Sequence, residues 1–372
     1  IYKKHAEDLI ARGHAYYCFC TPQRLDEMRK KQIADHKPPM YDGACSVIDP
    51  KEASVRVQNG EKHVVRLRVP DKGSTSFTDL IRGEISFENS LIDDQVLLKS
   101  DGFPTYHLGV VVDDHIMQVT NIIRGEEWIS STPKHILLYT YFGWPLPQFA
   151  HMPLLRNPDK SKLSKRKNPV WASWFRQQGF LPEAIRNYFG LLAWAHPEGK
   201  EIFTAEEMVA VFTLADIQTT APVFDLEKLR WINGEYIRSM ESQMLTERIY
   251  RFFEEKYKKE HIAKILPLVV ERIKVLAEFE DMAEFFFTRP AEFETSLHDA
   301  WLTMIREALA DCDWSHDAME QAIRAGAQKA NLKPRDVFME LRLAVTGKTV
   351  GPPLLESLEI LGKEETLARL YR

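Results

Sequence analysis

Strand-like patterns in this sequence stop near residue 170, and only helical patterns follow. Before that point, HVVRLRVP (63–70) alternates apolar and polar residues, as a strand with one buried face does. Beyond it, Ile185, Phe189 and Leu192 recur at the spacing that places residues on one face of a helix. A chain of 372 residues is also too long for one ordinary core. We therefore predict several domains, α/β in the first part and all-α in the second.

Residues 1–105 are predicted to form a module of helices and short strands. An amphipathic helix opens the chain and ends at Gly13, and Tyr16–Cys20 follows as a buried strand. Thr21 and Pro22 are the residue types favoured just before a helix and at its first position. ISFENS and QVLLKSDG add further short strands.

Two short apolar segments, LGVVVDDH (108–115) and MQVTNIIRGEEW (117–128), each end in charged residues. Both are typical of strands in a parallel α/β sheet, whose ligands bind at the carboxyl ends of the strands. The next segment, STPKHILLYTYFGW (131–144), predicts a helix with Pro133 in its first turn and Gly143 at its end. Charged side chains at the strand ends are therefore candidates for a binding site.

Arg124 is the first candidate, because a guanidinium holds a planar carboxylate through two parallel hydrogen bonds. An equally good interpretation is a structural ion pair with a nearby carboxylate, from Asp113, Asp114, Glu126 or Glu127. Tyr106 is the second candidate, since its phenol could orient a substrate, although such a residue can also simply belong to an apolar core. The residues alone leave both alternatives open.

A cluster of basic residues lies between Arg156 and Lys167. Six of these twelve residues are Lys or Arg, in a chain whose net charge is −5, and Ser161 and Ser164 stand among them. The segment has neither helical nor strand periodicity, so we predict a loop. Lys side chains, Ser hydroxyls and backbone N–H groups are suited to bind a polyphosphate, and a solvated basic turn is the alternative.

Three cysteines are spaced so that they could converge, as Cys18 and Cys20 are separated by one residue and Cys45 follows later. A structural zinc site requires four ligands, and Val47 occupies the position where a fourth would be convenient. Free buried thiols are therefore the favoured interpretation, and no metal site is predicted.

Taken together, several segments resemble the bacterial-type glutamyl-tRNA synthetases, a family of class I aminoacyl-tRNA synthetases. They lie in the family's order along nearly the whole chain. The segments are YYCFCTPQRLDEMR, KPPMYDGAC, SDGFPTYHLGVVVDDH, NIIRGEEWISSTPKHILLY, HMPLLRNPDKSKLSKRK, GFLPEAIRNY and FDLEKLRWINGEYI.

The resemblance implies four regions. Residues 1–105 would be an acceptor-end binding module inserted in the catalytic domain, and residues 106–160 the second half of its Rossmann-like fold. Residues 161–240 would hold the KMSKS loop and a stem-contacting segment, and residues 241–372 an α-helical anticodon-binding domain.

The resemblance also implies the roles of individual residues. Glutamate would be bound by Tyr106, Val110 and Arg124, although Val110, which is Asn in some members, offers no side-chain hydrogen bond. Glu127 and Leu155 would lie against ATP. The KMSKS loop would contribute Lys162, Leu163, Ser164, Lys165 and Arg166, with Lys165 as the catalytic residue that neutralises the phosphates. Some members carry zinc on a CxC…CxH pattern, which Val47 interrupts here, so zinc is not expected.

The family's N-terminal segment, with its HIGH signature, has no counterpart in these residues, and the sequence starts at Ile1 inside a helical pattern. We therefore expect a fragment that binds tRNA weakly and in a salt-sensitive way without forming an adenylate. A non-catalytic tRNA-binding module and a glutaminyl-tRNA synthetase are the alternatives. Glu284 stands where discriminating members place an anticodon-reading Arg, which leaves open whether tRNA(Gln) is charged as well.

The partners implied are tRNA(Glu), L-glutamate and ATP with Mg²⁺. No apolar segment approaches the length of a membrane span and no signal peptide opens the sequence, so we expect a monomer in the cytoplasm without a membrane partner.

Overall fold

The computed structural model describes residues 1–161, 163 and 171–371. They divide into two compact units, the first formed by Ile1–Arg156 with Phe212–Pro222 and the second by Asn157–Val211 with Val223–Arg372. Within the described residues, no helix is both long enough and apolar enough to cross a membrane.

The first unit combines five helices with seven strands. Its helices are α1 (Tyr2–Ala11), α2 (Pro22–Ala34), α3 (Pro50–Gln58), α4 (Tyr106–Ile116) and α5 (Thr132–Phe142). Its strands are β1 (Ala15–Cys18), β2 (Val64–Leu67), β3 (Ser74–Asp79), β4 (Gly83–Glu88), β5 (Val96–Leu98), β6 (Asn121–Gly125) and β7 (Gln148–Met152). Short 3-10 helices cover Asn89–Leu91, Glu126–Ser131 and Leu214–Asp216.

The strands form two sheets. The smaller sheet is antiparallel, with the order β1-β2-β5. The larger has the order β4-β3-β7-β6, and β7 runs parallel to both β3 and β6. The predicted parallel α/β sheet is therefore present, and the carboxyl ends of three of its strands meet at one edge. The helix predicted at 131–144 is confirmed as α5, which ends at Gly143 in a left-handed conformation.

The prediction that LGVVVDDH forms a strand is wrong, because these residues belong to helix α4. Leu108, Val111 and Val112 are buried, and this spacing is that of a helix face. A short Val-rich segment has the same composition in a buried strand and in a buried helix, so composition alone could not separate them. Val110 accordingly lies on a helix, one turn after Tyr106, and not at the end of a strand.

The second unit is helical throughout the residues that the structure describes, as predicted. Several starts follow their caps: the Asp225 side chain accepts a hydrogen bond from the backbone N–H of Lys228 at the start of α9. The helices are α6 (Ala172–Gln178), α7 (Pro182–Ala193), α8 (Ala205–Val211), α9 (Leu226–Ser239), α10 (Ser242–Phe252), α11 (Lys259–Val269), α12 (Glu278–Ala283), α13 (Asp299–Ala310), α14 (His316–Lys329), α15 (Pro334–Thr346), α16 (Leu354–Leu361) and α17 (Lys363–Arg369).

Two apolar cores stabilise this helical unit. The first extends from Phe175 to Ala283, and the second from Phe285 to Leu370. The second core is built from the facing sides of α13, α14, α15 and α16. A short 3-10 helix, Glu284–Phe286, follows α12 between the two sets of residues.

Candidate functional site

Three polar side chains lie together at the carboxyl edge of the larger sheet. Asp79 ends β3, while Arg124 and His151 are directly paired across the parallel strands β6 and β7. Asp79 and His151 are almost completely buried, at 1% and 0% exposure. Such a cluster at a strand-end edge is where an α/β sheet binds its ligands.

The guanidinium of Arg124 donates three hydrogen bonds to uncharged acceptors. Its Nε is 3.1 Å from His151 Nε2, one terminal nitrogen is 3.3 Å from His135 Nδ1, and the other is 2.8 Å from Thr132 Oγ1. The rings of Trp128 and Phe149 lie near its Cζ, at 5.8 and 5.9 Å. Since a guanidinium carries five N–H donors, two remain beyond these three contacts.

These contacts fix the protonation of His151. Arginine can only donate, so His151 Nε2 must accept, and the ring proton of this residue must sit on Nδ1. Nδ1 lies 2.6 Å from Asp79 Oδ2, to which it donates. Burial lowers the pKa of His151, which keeps the ring neutral. Asp79 is therefore linked to Arg124 only through a neutral imidazole.

The same reasoning orders two further histidines. His135 Nδ1 accepts from Arg124, so its proton is on Nε2, which lies 3.0 Å from His107 Nδ1 and donates to it. Burial holds the pKa of His135 well below its usual range and lowers that of His107 to about 4. Neither ring competes with Arg124 as a positive charge at neutral pH.

Tyr106 opens onto this cluster from helix α4. Its ring is 4.4 Å from that of Trp128, and its side chain remains 47% exposed. It is thus not a core residue, which was the alternative considered for it. Burial lowers the pKa of Arg124, and the phenol of Tyr106 opposes that shift. Val110 lies one helical turn further along and packs against the apolar core, so it can contribute only apolar surface.

The ion-pair interpretation of Arg124 is not what the structure shows. Among the described residues, no carboxylate lies within ion-pair distance of Arg124. Glu126 pairs instead with Arg82, and Asp113 accepts a hydrogen bond from Tyr2 at 2.7 Å. The charge of Arg124 therefore has no direct counter-charge in the described part of the chain.

Two residues predicted to contact ATP lie after the ends of strands β6 and β7. Glu127 is exposed and its carboxylate folds back over Gly125, while Leu155 lies three residues after β7. Leu163 is partly buried. Four predicted loop residues, Lys162, Ser164, Lys165 and Arg166, lie outside the described residues.

The three cysteines do converge. The sulfur atoms of Cys18, Cys20 and Cys45 lie within 4.8 Å of one another. Tyr41, which the sequence did not single out, places its phenol oxygen 3.4 Å from Cys18 Sγ and 3.3 Å from Cys20 Sγ. The fourth donor that the spacing lacked is therefore present as a tyrosine.

Two arginines also adjoin the thiol cluster. A terminal nitrogen of Arg24 donates to Cys20 Sγ at 3.4 Å, and the guanidinium of Arg66 lies 4.0 Å from the Tyr41 ring centroid. Three thiolates around a divalent cation carry a net negative charge, which the guanidinium of Arg66 offsets, whereas that of Arg24 is also paired with Asp42 at 2.6 Å. The donor set and the surrounding charge both fit a four-coordinate zinc ion.

Four residues of the site were not predicted from the sequence: Asp79, Thr132, His135 and His151. The strand that ends at Asp79 alternates exposed and buried residues in the structure, but Phe77 is the one apolar residue in STSFTD, so the sequence carried little strand signal there. The histidines gave no signal either, since a lone histidine next to apolar residues is common in protein cores.

Comparison with known proteins gives matches along the whole chain. Residues 1–231 match the catalytic domain of the class I tRNA synthetases for glutamate and glutamine, and residues 242–372 match an anticodon binding domain. A glutamate–tRNA ligase of Acidothermus cellulolyticus is 46% identical, over all of this chain and 78% of that protein. Another, from Thermus thermophilus, is 44% identical over all of this chain and 81% of that protein.

A solved structure has the same fold. The crystal structure of a glutamate tRNA ligase from Elizabethkingia meningosepticum, in complex with its amino acid, aligns with a TM-score of 0.83 at 29% identity. The alignment covers 99% of this chain and 81% of that one.

Proposed function

The chain belongs to the class I tRNA synthetases specific for glutamate and glutamine, and on that premise we propose that it attaches L-glutamate to tRNA(Glu) through a glutamyl-adenylate. The observation that carries the proposal is the match to glutamate–tRNA ligases at 44–46% identity along the entire chain. The enzyme would use ATP with Mg²⁺ and act as a cytoplasmic monomer.

Arg124 would bind a carboxylate of glutamate. Its remaining N–H groups can form the paired hydrogen bonds that a planar carboxylate accepts, and its uncompensated charge favours an anion. Tyr106 would border the same space from α4, where its phenol can orient the substrate. Val110 would close it with apolar surface.

Glu127 and Leu155 would contact ATP, and Lys162, Leu163, Ser164, Lys165 and Arg166 would bind its phosphates. The reaction forms a bond from a glutamate carboxylate oxygen to the α-phosphorus and breaks the bond to the leaving pyrophosphate. Negative charge increases on the phosphate oxygens as that bond breaks, so a cationic loop stabilises the transition state. Lys165 would be the catalytic residue in this sense.

We also propose that Cys18, Cys20, Cys45 and Tyr41 hold a zinc ion. The ion would have a structural role, because its ligands come from the end of β1 and from the segment before α3. It would supply a cross-link between two segments and no chemistry of its own.

The substrate assignment is tested by replacing Arg124 with Lys. This change keeps the charge but removes the planar pair of donors, so the KM for glutamate should rise by about tenfold or more, while the KM for ATP stays near that of the parent. The measurement is glutamate-dependent pyrophosphate exchange, in the presence of tRNA(Glu), by a full-length parent enzyme that carries these residues.

Arg12→Lys is the matched control, because Arg12 lies on the exposed face of the first unit and pairs with Asp8. An unchanged glutamate KM in Arg124→Lys would contradict the assignment of Arg124 to the amino acid.

A further inference from the structure

The carboxylate of Asp79 is held in one orientation by backbone donors. Its Oδ1 accepts from the N–H groups of Ile81 and Arg82 at 3.0 and 3.1 Å, and its Oδ2 accepts from the N–H of His151 at 3.0 Å. The fourth donor is His151 Nδ1 at 2.6 Å. With four donors directed at it and 1% exposure, the group is a fixed acceptor that no solvent reaches.

This fixed acceptor determines which nitrogen of His151 faces Arg124. Because Asp79 takes the proton of Nδ1, Nε2 presents a lone pair, and Arg124 Nε donates to it at 3.1 Å. The opposite tautomer would place an N–H against the N–H of Arg124. One carboxylate thus sets the direction of a guanidinium that it does not touch.

The intervening imidazole also keeps the charge of Arg124 available. A carboxylate in direct contact would satisfy the guanidinium with two strong hydrogen bonds and would compete with any anionic ligand. Here the carboxylate of Asp79 lies beyond a neutral ring, and Asp114 acts on Arg124 only through space, without an ion-pair contact. The three groups that accept hydrogen bonds from Arg124 are uncharged. The guanidinium is therefore oriented without being neutralised.

We infer that Asp79 and His151 are positioning residues for the binding of a substrate carboxylate by Arg124. The inference rests on the proposed function, since it takes the ligand of Arg124 to be a carboxylate of glutamate. It adds two residues on two further strands to the groups that determine amino-acid affinity. Asp79 and His151 lie on adjacent parallel strands, β3 and β7, at the same sheet edge.

The test is Asp79→Asn. The amide oxygen should take the Oδ1 position, where the N–H groups of Ile81 and Arg82 require an acceptor. The NH₂ group should then face His151 Nδ1 and also the backbone N–H of His151, which loses its acceptor. His151 would then accept at Nδ1 and carry its proton on Nε2, opposite the N–H of Arg124. Loss of that contact should raise the KM for glutamate by about tenfold, with the KM for ATP unchanged.

Asp94→Asn is the matched control. Asp94 is an acid of the first unit that is partly buried, less completely than Asp79. It accepts hydrogen bonds from Tyr16 at 2.6 Å and from the backbone N–H of Val69 at 2.9 Å. The Asp94→Asn variant should lose stability to an extent comparable with Asp79→Asn, while its KM for glutamate stays that of the parent. A merely structural role for Asp79 would make the two variants alike in both measurements.

The tautomer of His151 provides a second, independent measurement. Nitrogen-15 spectra of the ring should show a neutral imidazole protonated on Nδ1 in the parent protein and on Nε2 in Asp79→Asn. Parent protein with the proton on Nε2 would overturn the inference even if the variant failed to fold. So would an Asp79→Asn variant whose glutamate KM changed no more than that of Asp94→Asn.

Arg124→Lys separates the two levels of the proposal. If that variant raises the glutamate KM and Asp79→Asn does not, the positioning role is wrong and the amino-acid site stands. If Arg124→Lys leaves the glutamate KM unchanged, the amino-acid site is wrong and the positioning role is rejected with it.

Discussion

At the scale of single residues, Arg124 illustrates how a half-buried charge can be retained for a ligand. Burial disfavours the charged guanidinium and lowers its pKa. Three neutral acceptors recover hydrogen bonds for it, but they do not cancel its charge. We therefore expect an anion to complete the hydrogen bonding of Arg124, in line with the proposal that it binds a carboxylate of glutamate.

A second prediction at the residue scale concerns Lys165, in the basic segment 156–167. In a full-length parent enzyme that carries these residues, Lys165→Ala should slow adenylate formation by about 100-fold or more, because removing one transition-state charge contact typically costs ~3 kcal/mol. Affinity for tRNA should stay near that of the parent. Single-turnover formation of the adenylate, measured beside tRNA binding, checks both expectations.

Lys160→Ala is the control for that experiment, because it removes a lysine a few residues earlier that we do not assign to ATP. Pyrophosphate exchange at the parental rate in Lys165→Ala would reject the catalytic role of Lys165.

Only part of the candidate site could be predicted from the sequence. Arg124 and Tyr106 were candidates by residue type, since a guanidinium suits a carboxylate and a phenol can orient a substrate, and the family resemblance assigned both to glutamate. Asp79 and His151 could not be connected to them, since their relation depends on the parallel pairing of β3, β7 and β6. That pairing brings together residues that are 72 positions apart in the chain, as for Asp79 and His151.

At the scale of elements, helix α4 determines how Tyr106 is presented. Its buried residues, Leu108, Val111 and Val112, define the inner face, and Tyr106 lies away from it with 47% of its surface exposed. A strand over the same residues would instead place Leu108, Val110 and Val112 on one face. The two arrangements differ most at Val111, which lies on the buried face of the helix but would lie on the face opposite to Leu108 in a strand.

We therefore expect Val111→Ala to destabilise the protein by about 2 kcal/mol, from lost burial and the cavity that remains. Ile116→Ala, at a side chain that is 54% exposed on the same helix, should change stability by no more than about 0.5 kcal/mol. Equilibrium urea unfolding gives both values. A smaller effect at Val111 than at Ile116 would contradict the helical face described here.

The thiol cluster supports a second prediction at this scale. Purified protein should contain about one zinc ion per chain, and Cys45→Ser should lose most of it. Tyr41→Phe should weaken zinc retention against a chelator, because it removes the fourth donor while leaving three thiols. Metal analysis by mass spectrometry after dialysis provides the measurement.

Cys312→Ser is the matched control, since Cys312 belongs to the helical unit and lies outside the cluster. Metal-free protein with Cys18, Cys20 and Cys45 reduced and intact would instead support the free-thiol interpretation. In that state burial raises the pKa of Cys20 to about 11, so its thiol should react slowly with alkylating reagents at neutral pH.

Element types were predictable wherever the pattern was long or capped. The helix after Thr21 and Pro22 and the helix over 131–144, with Pro133 in its first turn and Gly143 at its end, were predicted at their observed places. Helix α4 was predicted as a strand because five apolar residues in a row show neither helical nor strand periodicity. The fourth cysteine-cluster donor was missed because a tyrosine has no recognisable spacing rule.

At the scale of the whole molecule, the helical half distinguishes between the functions considered. Residues 242–372 match an anticodon binding domain, and the described part of this segment is helical. The catalytic-domain match over residues 1–231 accompanies it on the same chain. Both observations support a synthetase over a module that only binds tRNA.

The overall charge of the chain leads to the last prediction. A net charge of −5 repels a polyanion at long range, so tRNA must be held by local basic groups that displace counterions from its phosphates. Affinity for tRNA(Glu) should therefore fall steeply between low and moderate salt, with log Kd linear in log salt concentration. The glutamate KM should change far less, because Arg124 is half-buried and salt screens mainly exposed charges. Filter binding and steady-state kinetics over the same salt series test this contrast, and a tRNA affinity independent of salt would show that phosphate contacts do not dominate the complex.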